Sequence, residues 1–370
     1  MQEKYREDLR PWRFYYPSGT IKCRIRKCLA SPLQVGASVE YAGRWSAESD
    51  KESAMNELKA TEEQTTGPVV VGVDGSIASE RALLWAAEHA FRMGAGLRVV
   101  LVRTHPVPVT SIAPAPVWPW PVVHHRDEQG AAETREMLAE IVTATIPAKY
   151  DDNVKVDVVD GDSASSIIEV AREHRAALIV VGRRGRGGFK RLLLGSVSDE
   201  VATYAPCPVV VTGKHSEWTP QSTIVVGVDG SADSDRALKW AANQAQLVGS
   251  RLHVVHAWEP PYAAPDSLAG TMPFLADDQG ELAKHAQKIL SDSIARCVPD
   301  GSDLTVTSEV LEGYPSAMLT EVASGDHAEL LVIGTRGLGG FSSMLLGSVA
   351  HQCLHHAVCP VAVIRPSDGQ

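Results

Sequence analysis

The sequence predicts an α/β protein made of two tandem copies of one domain, each a five-stranded parallel sheet covered by helices on both faces. Three observations carry this. Val70-Val-Gly-Val-Asp-Gly-Ser76 recurs as Val225-Val-Gly-Val-Asp-Gly-Ser231. A glycine pattern, Gly182-Arg183-Arg184-Gly185, nine residues, then Gly195-Ser196-Val197, recurs as Gly334-Thr335-Arg336-Gly337, nine residues, then Gly347-Ser348-Val349. Between these motifs, β-branched apolar runs alternate with helical apolar spacing, the pattern of right-handed crossovers onto buried strands. The copies are offset by 155 residues at Asp74/Asp229 and by 152 at Gly182/Gly334, so their internal spacing is nearly preserved. That period is too long for a solenoid and right for a duplicated domain.

The first copy gives the elements in order. Residues 68–73 form a β-branched strand, and 78–93 a helix with Ala82, Trp85, Ala86 and Ala90 on one face. Residues 97–103 are a second strand, followed by a loop rich in Pro between Pro106 and Pro121. A helix over 127–146, an alternating strand over 154–159 and a helix over 163–175 come next. The fourth strand, 177–182, runs into the glycine loop, and a short helix (196–204) and a last strand (208–211) complete the unit. The two motif-bearing loops follow strands one and four. In an open parallel sheet the ligand crevice lies beyond the carboxyl ends of the strands, where the strand order reverses. If both loops line one ligand, strands one and four are neighbours and the order is 3-2-1-4-5.

The chemistry follows from the loops. Glycines leaving a buried strand let backbone N–H groups approach an anion closely. The second glycine of each loop opens a helix, whose first amides and dipole favour negative charge. Ser196 and Ser348 add hydroxyl donors; the blander reading makes Ser a helix N-cap. The Gly-Lys-Ser/Thr of a P-loop is missing, and the spacing is not that of a Rossmann fingerprint. The loop therefore cradles phosphate without an evident means of cleaving it. Asp74 and Asp229 stand where a carboxylate accepts from ribose hydroxyls, or where Asp-Gly makes a turn and Ser caps the next helix. The first loop carries Arg183, Arg184, Arg186, Lys190 and Arg191, the second mainly Arg336, so the first site is expected to hold a triphosphate more tightly.

Composition narrows the class. The net charge of -10 argues against a nucleic-acid partner, and no apolar run reaches the roughly 20 residues of a membrane span. With no apolar signal core, the expected location is cytoplasmic. The six cysteines lack metal-ligand spacing, and Cys207 and Cys359, in matching Cys-Pro-Val positions, read as small buried residues. His124, His125, His351, His355 and His356 have no duplicated carboxylate or cysteine partners, so neither a metal site nor a catalytic set is expected.

These residues identify a resemblance. Val-Gly-Val-Asp-Gly-Ser, the two glycine loops, and the closing Ala-Pro-Cys-Pro-Val and Ala-Val-Cys-Pro-Val strands resemble the universal stress proteins, particularly the tandem actinobacterial kind, over roughly Gly67 to Pro366. The resemblance implies a Rossmann-like (adenine nucleotide alpha hydrolase-like) fold that binds ATP, alone or with Mg2+. It implies that Val73, Asp74, Val228 and Asp229 contact adenosine, and that Val102 and Ala257 pack against adenine. Gly182, Gly185, Gly195, Ser196 and Val197 would line the phosphates of one site, and Gly334, Gly337, Gly347, Ser348 and Val349 those of the other. It also implies that the last strands of the two domains pair, with a homodimer and a further protein partner beyond that. The expected function is a nucleotide-dependent stress-response regulator, not an enzyme beyond at most a weak ATPase. The alternatives are a non-nucleotide scaffold or a cyclic-nucleotide binder. The expected domains are 67–214 and 221–366. Residues 1–66 read as a disordered extension, or as residues upstream of a true start at Met55.

Overall fold

The computed structural model describes residues 67–104, 128–150, 153–185, 193–213, 222–259, 279–299, 302–338 and 345–366. The N-terminal 1–66 and the Pro-rich loop therefore lie outside the described residues, as do His124, His125, Arg186, Lys190 and Arg191. The chain divides into a unit of Met1–Lys51 and a unit of Glu52–Gln370, and everything below belongs to the second.

The first half runs β1 (Val69–Val73), α1 (Ile77–Met93), β2 (Leu97–Arg103), α2 (Glu128–Thr145), β3 (Val154–Asp160), α3 (Ser163–Glu173), β4 (Leu178–Gly182), α4 (Ser196–Tyr204) and β5 (Val209–Thr212). The second repeats it: β6 (Thr223–Gly227), α5 (Ala232–Val248), β7 (Arg251–Trp258), α6 (Gln279–Cys297), β8 (Val306–Glu312), α7 (Pro315–Gly325), β9 (Leu330–Gly334), α8 (Ser348–His356) and β10 (Val361–Ile364). α3 stops two residues short of the expected end, because His174 caps it and Arg175 turns left-handed (φ 47°).

All ten strands form one sheet, in the order β3-β2-β1-β4-β5-β10-β9-β6-β7-β8. Pairing is parallel within each half and antiparallel only at the seam, where Val209, Val210 and Val211 face Val363, Ala362 and Val361. Val210 and Ala362 are equivalent positions of the repeat, so the seam is a pseudo-twofold axis through that pair. The six residues are 0–1% exposed, so the apolar edge each half would present alone is covered by the other.

Side-chain alternation feeds two apolar layers, one on each face. Val69, Val71 and Val73 join α1 and α2 with α5 and α6, whereas Val70, Ile179 and Val181 join α3 and α4 with α7 and α8. Each layer runs without interruption across the seam. On one face α1 meets α5 at His89, which is fully buried, stacks on Trp85 (ring centroids 4.6 Å apart) and lies beside Gln244. On the other, α4 and α8 bring Asp199 within 3.9 Å of His351. His89/Gln244 and Asp199/His351 are again equivalent positions of the repeat, so three axial pairs are made of unlike residues.

Candidate functional site

The β1–β4 and β1–β2 pairings decide what meets at the crevice. Gly72 lies beside Val181 and Val73 beside Leu101, so the corner after β1 has the glycine loop on one flank and Val102 on the other. In the second half Gly227 lies beside Val255, which puts Ala257 at the matching place. Val102 and Ala257 are half-buried, and Val73 and Val228 are buried.

The corner is built by local hydrogen bonds. Gly75 is left-handed (φ 73°), a conformation that a Cβ disfavours, and it turns the chain sharply after Asp74. Asp74 Oδ1 accepts from the Ser76 amide (3.0 Å), Ser76 Oγ accepts from the Ser79 amide (3.2 Å), and the Asp74 amide donates to Ser79 Oγ (3.3 Å). Asp229, Ser231 and Ser234 repeat all three bonds at 3.3, 3.0 and 3.2 Å. Turn and cap thus form as the Asp-Gly-Ser sequence predicts. The second carboxylate oxygen reaches further along the chain. Asp229 Oδ2 accepts from the Leu338 amide inside the glycine loop (2.9 Å). The aspartate therefore ties the two loops together.

The glycines have separable reasons. A Cβ on Gly182 would sit 2.8 Å from the backbone carbon and oxygen of Ala78, and one on Gly334 2.9 Å from those of Asp233. These two allow the first helix of each half to pack over the end of the fourth strand. A Cβ on Gly185 or Gly337 would collide with Oδ2 of Asp74 or Asp229. Gly195 and Gly347 return to the strand end, donating to the carbonyls of Arg183 (2.8 Å) and Thr335 (2.7 Å). They, and not Ser196 and Ser348, are the N-caps of α4 and α8, and neither helix has a side-chain cap. The first α4 bond runs from Asp199 to the Gly195 carbonyl, so the amides of Ser196, Val197 and Ser198 point out of the helix end. Ser198 Oγ does not serve them, because it donates to the Gly182 carbonyl at 2.8 Å. The side chains of Val197 and Val349 pack on the core, which leaves their amides as the groups that can face a ligand. Residues 186–192 and 339–344 of the loops lie outside the described residues.

Of the cations expected in the first loop, Arg183 and Arg184 are among the described residues. Arg183 turns into the seam and donates to the Ala357 carbonyl at the end of α8; burial lowers its pKa. Ser76 Oγ reaches the Arg184 carbonyl at 3.5 Å. In the second half the two copies differ in ways the shared motifs do not reveal. Where the first half has Ala78, the second has Asp233, buried and ion-paired with both Arg236 and Arg336 (Nε to Oδ2 3.4 Å). Thr335, in place of Arg183, donates to the same carboxylate at 2.8 Å. His256, in place of Leu101, is buried with Nδ1 2.7 Å from the Val228 carbonyl, so that nitrogen carries the proton. Setting the two copies in register exposes all three differences.

Elsewhere, Cys353 and Cys359 are buried, and burial pushes both thiols up to about 12; Cys207 is half-buried and not fully buried as expected. His351 and His355 lie ring to ring (4.3 Å), and burial together with His351 lowers the His355 pKa. Among the described residues no group of three His, Cys, Asp or Glu side chains is placed to hold a metal, and no helix is long and apolar enough to cross a membrane.

Comparison with known proteins places this geometry. The family model described as the universal stress protein family matches residues 65–213 and again 222–365. A universal stress protein of Mycobacterium tuberculosis (strain H37Rv) is 32% identical over 308 residues, covering 81% of this chain and 97% of its own. One from Mycolicibacterium smegmatis is 30% identical, covering 80% and 97%. Among solved structures, a universal stress protein from Archaeoglobus fulgidus aligns with 83% of this chain and 99% of its own at a TM-score of 0.53 and 21% identity, a likeness of fold.

Proposed function

This chain belongs to the universal stress protein family, and from that premise we propose that each half binds an adenine nucleotide in the crevice between its Asp corner and its glycine loop. The observation that carries the reading is the glycine-capped helix at the end of each loop. A helix start without a capping side chain, reached by a loop whose glycines admit close approach, offers amides to an anion. That it is built twice supports ligand binding over loop geometry alone.

In this reading Gly185, Gly195 and the amides of Ser196 and Val197 hold phosphate oxygens, as do Gly337, Gly347, Ser348 and Val349. Gly182 and Gly334 serve the site by letting helix and strand approach. Val73, Asp74 and Val102, with Val228, Asp229 and Ala257, meet the adenosine. The ligand is ATP, with Mg2+ supplying countercharge to its phosphates when bound. No residue is assigned as a catalytic base, so the protein senses nucleotide and does not consume it. It acts in the cytoplasm as a stress-response regulator, as a homodimer over and above its internal pairing, and passes nucleotide occupancy to a protein partner.

Mass spectrometry of small molecules released from gently purified protein is the test, followed by calorimetric titration with ATP. Bound adenine nucleotide, lost in the Gly185→Asp/Gly337→Asp double variant, supports the reading. Protein that carries none and shows no heat of binding at millimolar ATP overturns it.

A further inference from the structure

The two crevices share their Asp corners and glycine caps but differ in one buried charge. Asp233 is the second residue of α5, directly beneath the first glycine of the second loop: a Cβ on Gly334 would lie 3.1 Å from its own Cβ. Its carboxylate takes the Thr335 hydroxyl and the Arg336 guanidinium, which are the two residues between Gly334 and Gly337. It also holds Arg236 from its own helix. The first half has Ala78 at this position and therefore no such carboxylate.

We infer that Asp233 is a specificity-determining residue that makes the second crevice discriminate against polyphosphates, so that it prefers an adenine nucleotide carrying few negative charges. This rests on the nucleotide reading above. Two effects add. Arg336, the main cation of the second loop, is bound to a carboxylate and so is drawn from service to a ligand phosphate. The carboxylate itself opposes the positive end of α5 and repels anions brought to the loop above it. Both effects scale with ligand charge, so a triphosphate suffers more than a monophosphate. One unit charge about 10 Å away at an effective dielectric near 20 alters affinity by about tenfold against a single unscreened charge; salt screening cuts the sum to about tenfold for a whole triphosphate and to under about threefold for a monophosphate.

The experiment isolates each half. In a Gly185→Asp background, where only the second crevice is intact, ATP and AMP affinities are measured by calorimetry with and without Asp233→Asn. Asparagine still accepts from Thr335, so it removes charge while keeping the loop anchored; urea unfolding checks that stability is retained. The expected result is an ATP affinity raised about tenfold, an AMP affinity changed less than about threefold, and a gap that narrows at high salt. The reciprocal Ala78→Asp, in a Gly337→Asp background, weakens ATP at the first crevice by a comparable factor. Equal changes for ATP and AMP, or none in either direction, overturn the role of Asp233 while leaving nucleotide binding intact. Absence of binding to both halves of the unaltered protein instead overturns the nucleotide reading and this inference with it.

Discussion

Acidification should loosen this protein through one buried side chain. His89 lies wholly inside the seam between α1 and α5, and its pKa falls from 6.5 to about 4. Burial is the main cause; the neighbouring Gln244 side chain pulls the other way, and Arg92 adds to the lowering. The folded state thus keeps the imidazole neutral where the unfolded chain would protonate it. Stability is full above pH 6.5 and is lost as the pH falls toward 4. The whole interval corresponds to about 3 kcal/mol, and about 2 kcal/mol is gone by pH 5. Glu329, buried nearby and bonded by Ser250 at 2.6 Å, works the other way: burial raises its pKa, so protonation on acidification favours the folded state. A bare pH profile mixes the two groups, and a His89→Gln variant separates them. Urea unfolding of both proteins at pH 7.5 and pH 5 gives the comparison. The parent should lose about 2 kcal/mol more than the variant over that range. Parallel losses would show that His89 is not held neutral by the seam, and the reasoning would fail.

Two further outcomes follow from packing. Gly182→Ala and Gly334→Ala push a methyl into the backbone of the first helix of their own half, at Ala78 and Asp233, and should each cost about 1–3 kcal/mol in urea unfolding; unchanged stability would return these glycines to a purely ligand-facing role. Cys353 and Cys359, with thiols at about 12, should resist iodoacetamide at pH 8 in the native protein and react after denaturation, as read by peptide mass; rapid native labelling would show that the second half opens at the α8 end.

What the sequence disclosed was whatever is local or repeated. The Asp-Gly-Ser corner forms through residues within five positions of one another, so its turn and cap were legible from the motif. The pairing of the two last strands followed from the resemblance, and Val210 opposite Ala362 is its observed centre. The failures are non-local. Arg183 sits in the first loop by sequence, yet its guanidinium follows the open carbonyls at the end of α8 in the other half. Asp233 carries no motif signal, because it stands at a position where the two copies differ. The blander reading of Ser196 as N-cap is off by one residue, since Gly195 folds back on Arg183 before the helix begins.

The unlike pairs on the seam axis have a consequence for how such a protein can change. In a dimer of two identical chains every axial residue meets its own copy, and any substitution there arrives twice at once. A histidine at position 89 would face a second histidine, two bases competing for one dry pocket. An aspartate at 199 would face an aspartate, with like charges opposed. Here one chain carries both sides of the axis, so His89 meets Gln244 and Asp199 meets His351. Covalent joining has released these positions from self-complementarity. The same release lets one crevice acquire Asp233 while the other keeps alanine, so a duplicated receptor can drift into a pair of different ones.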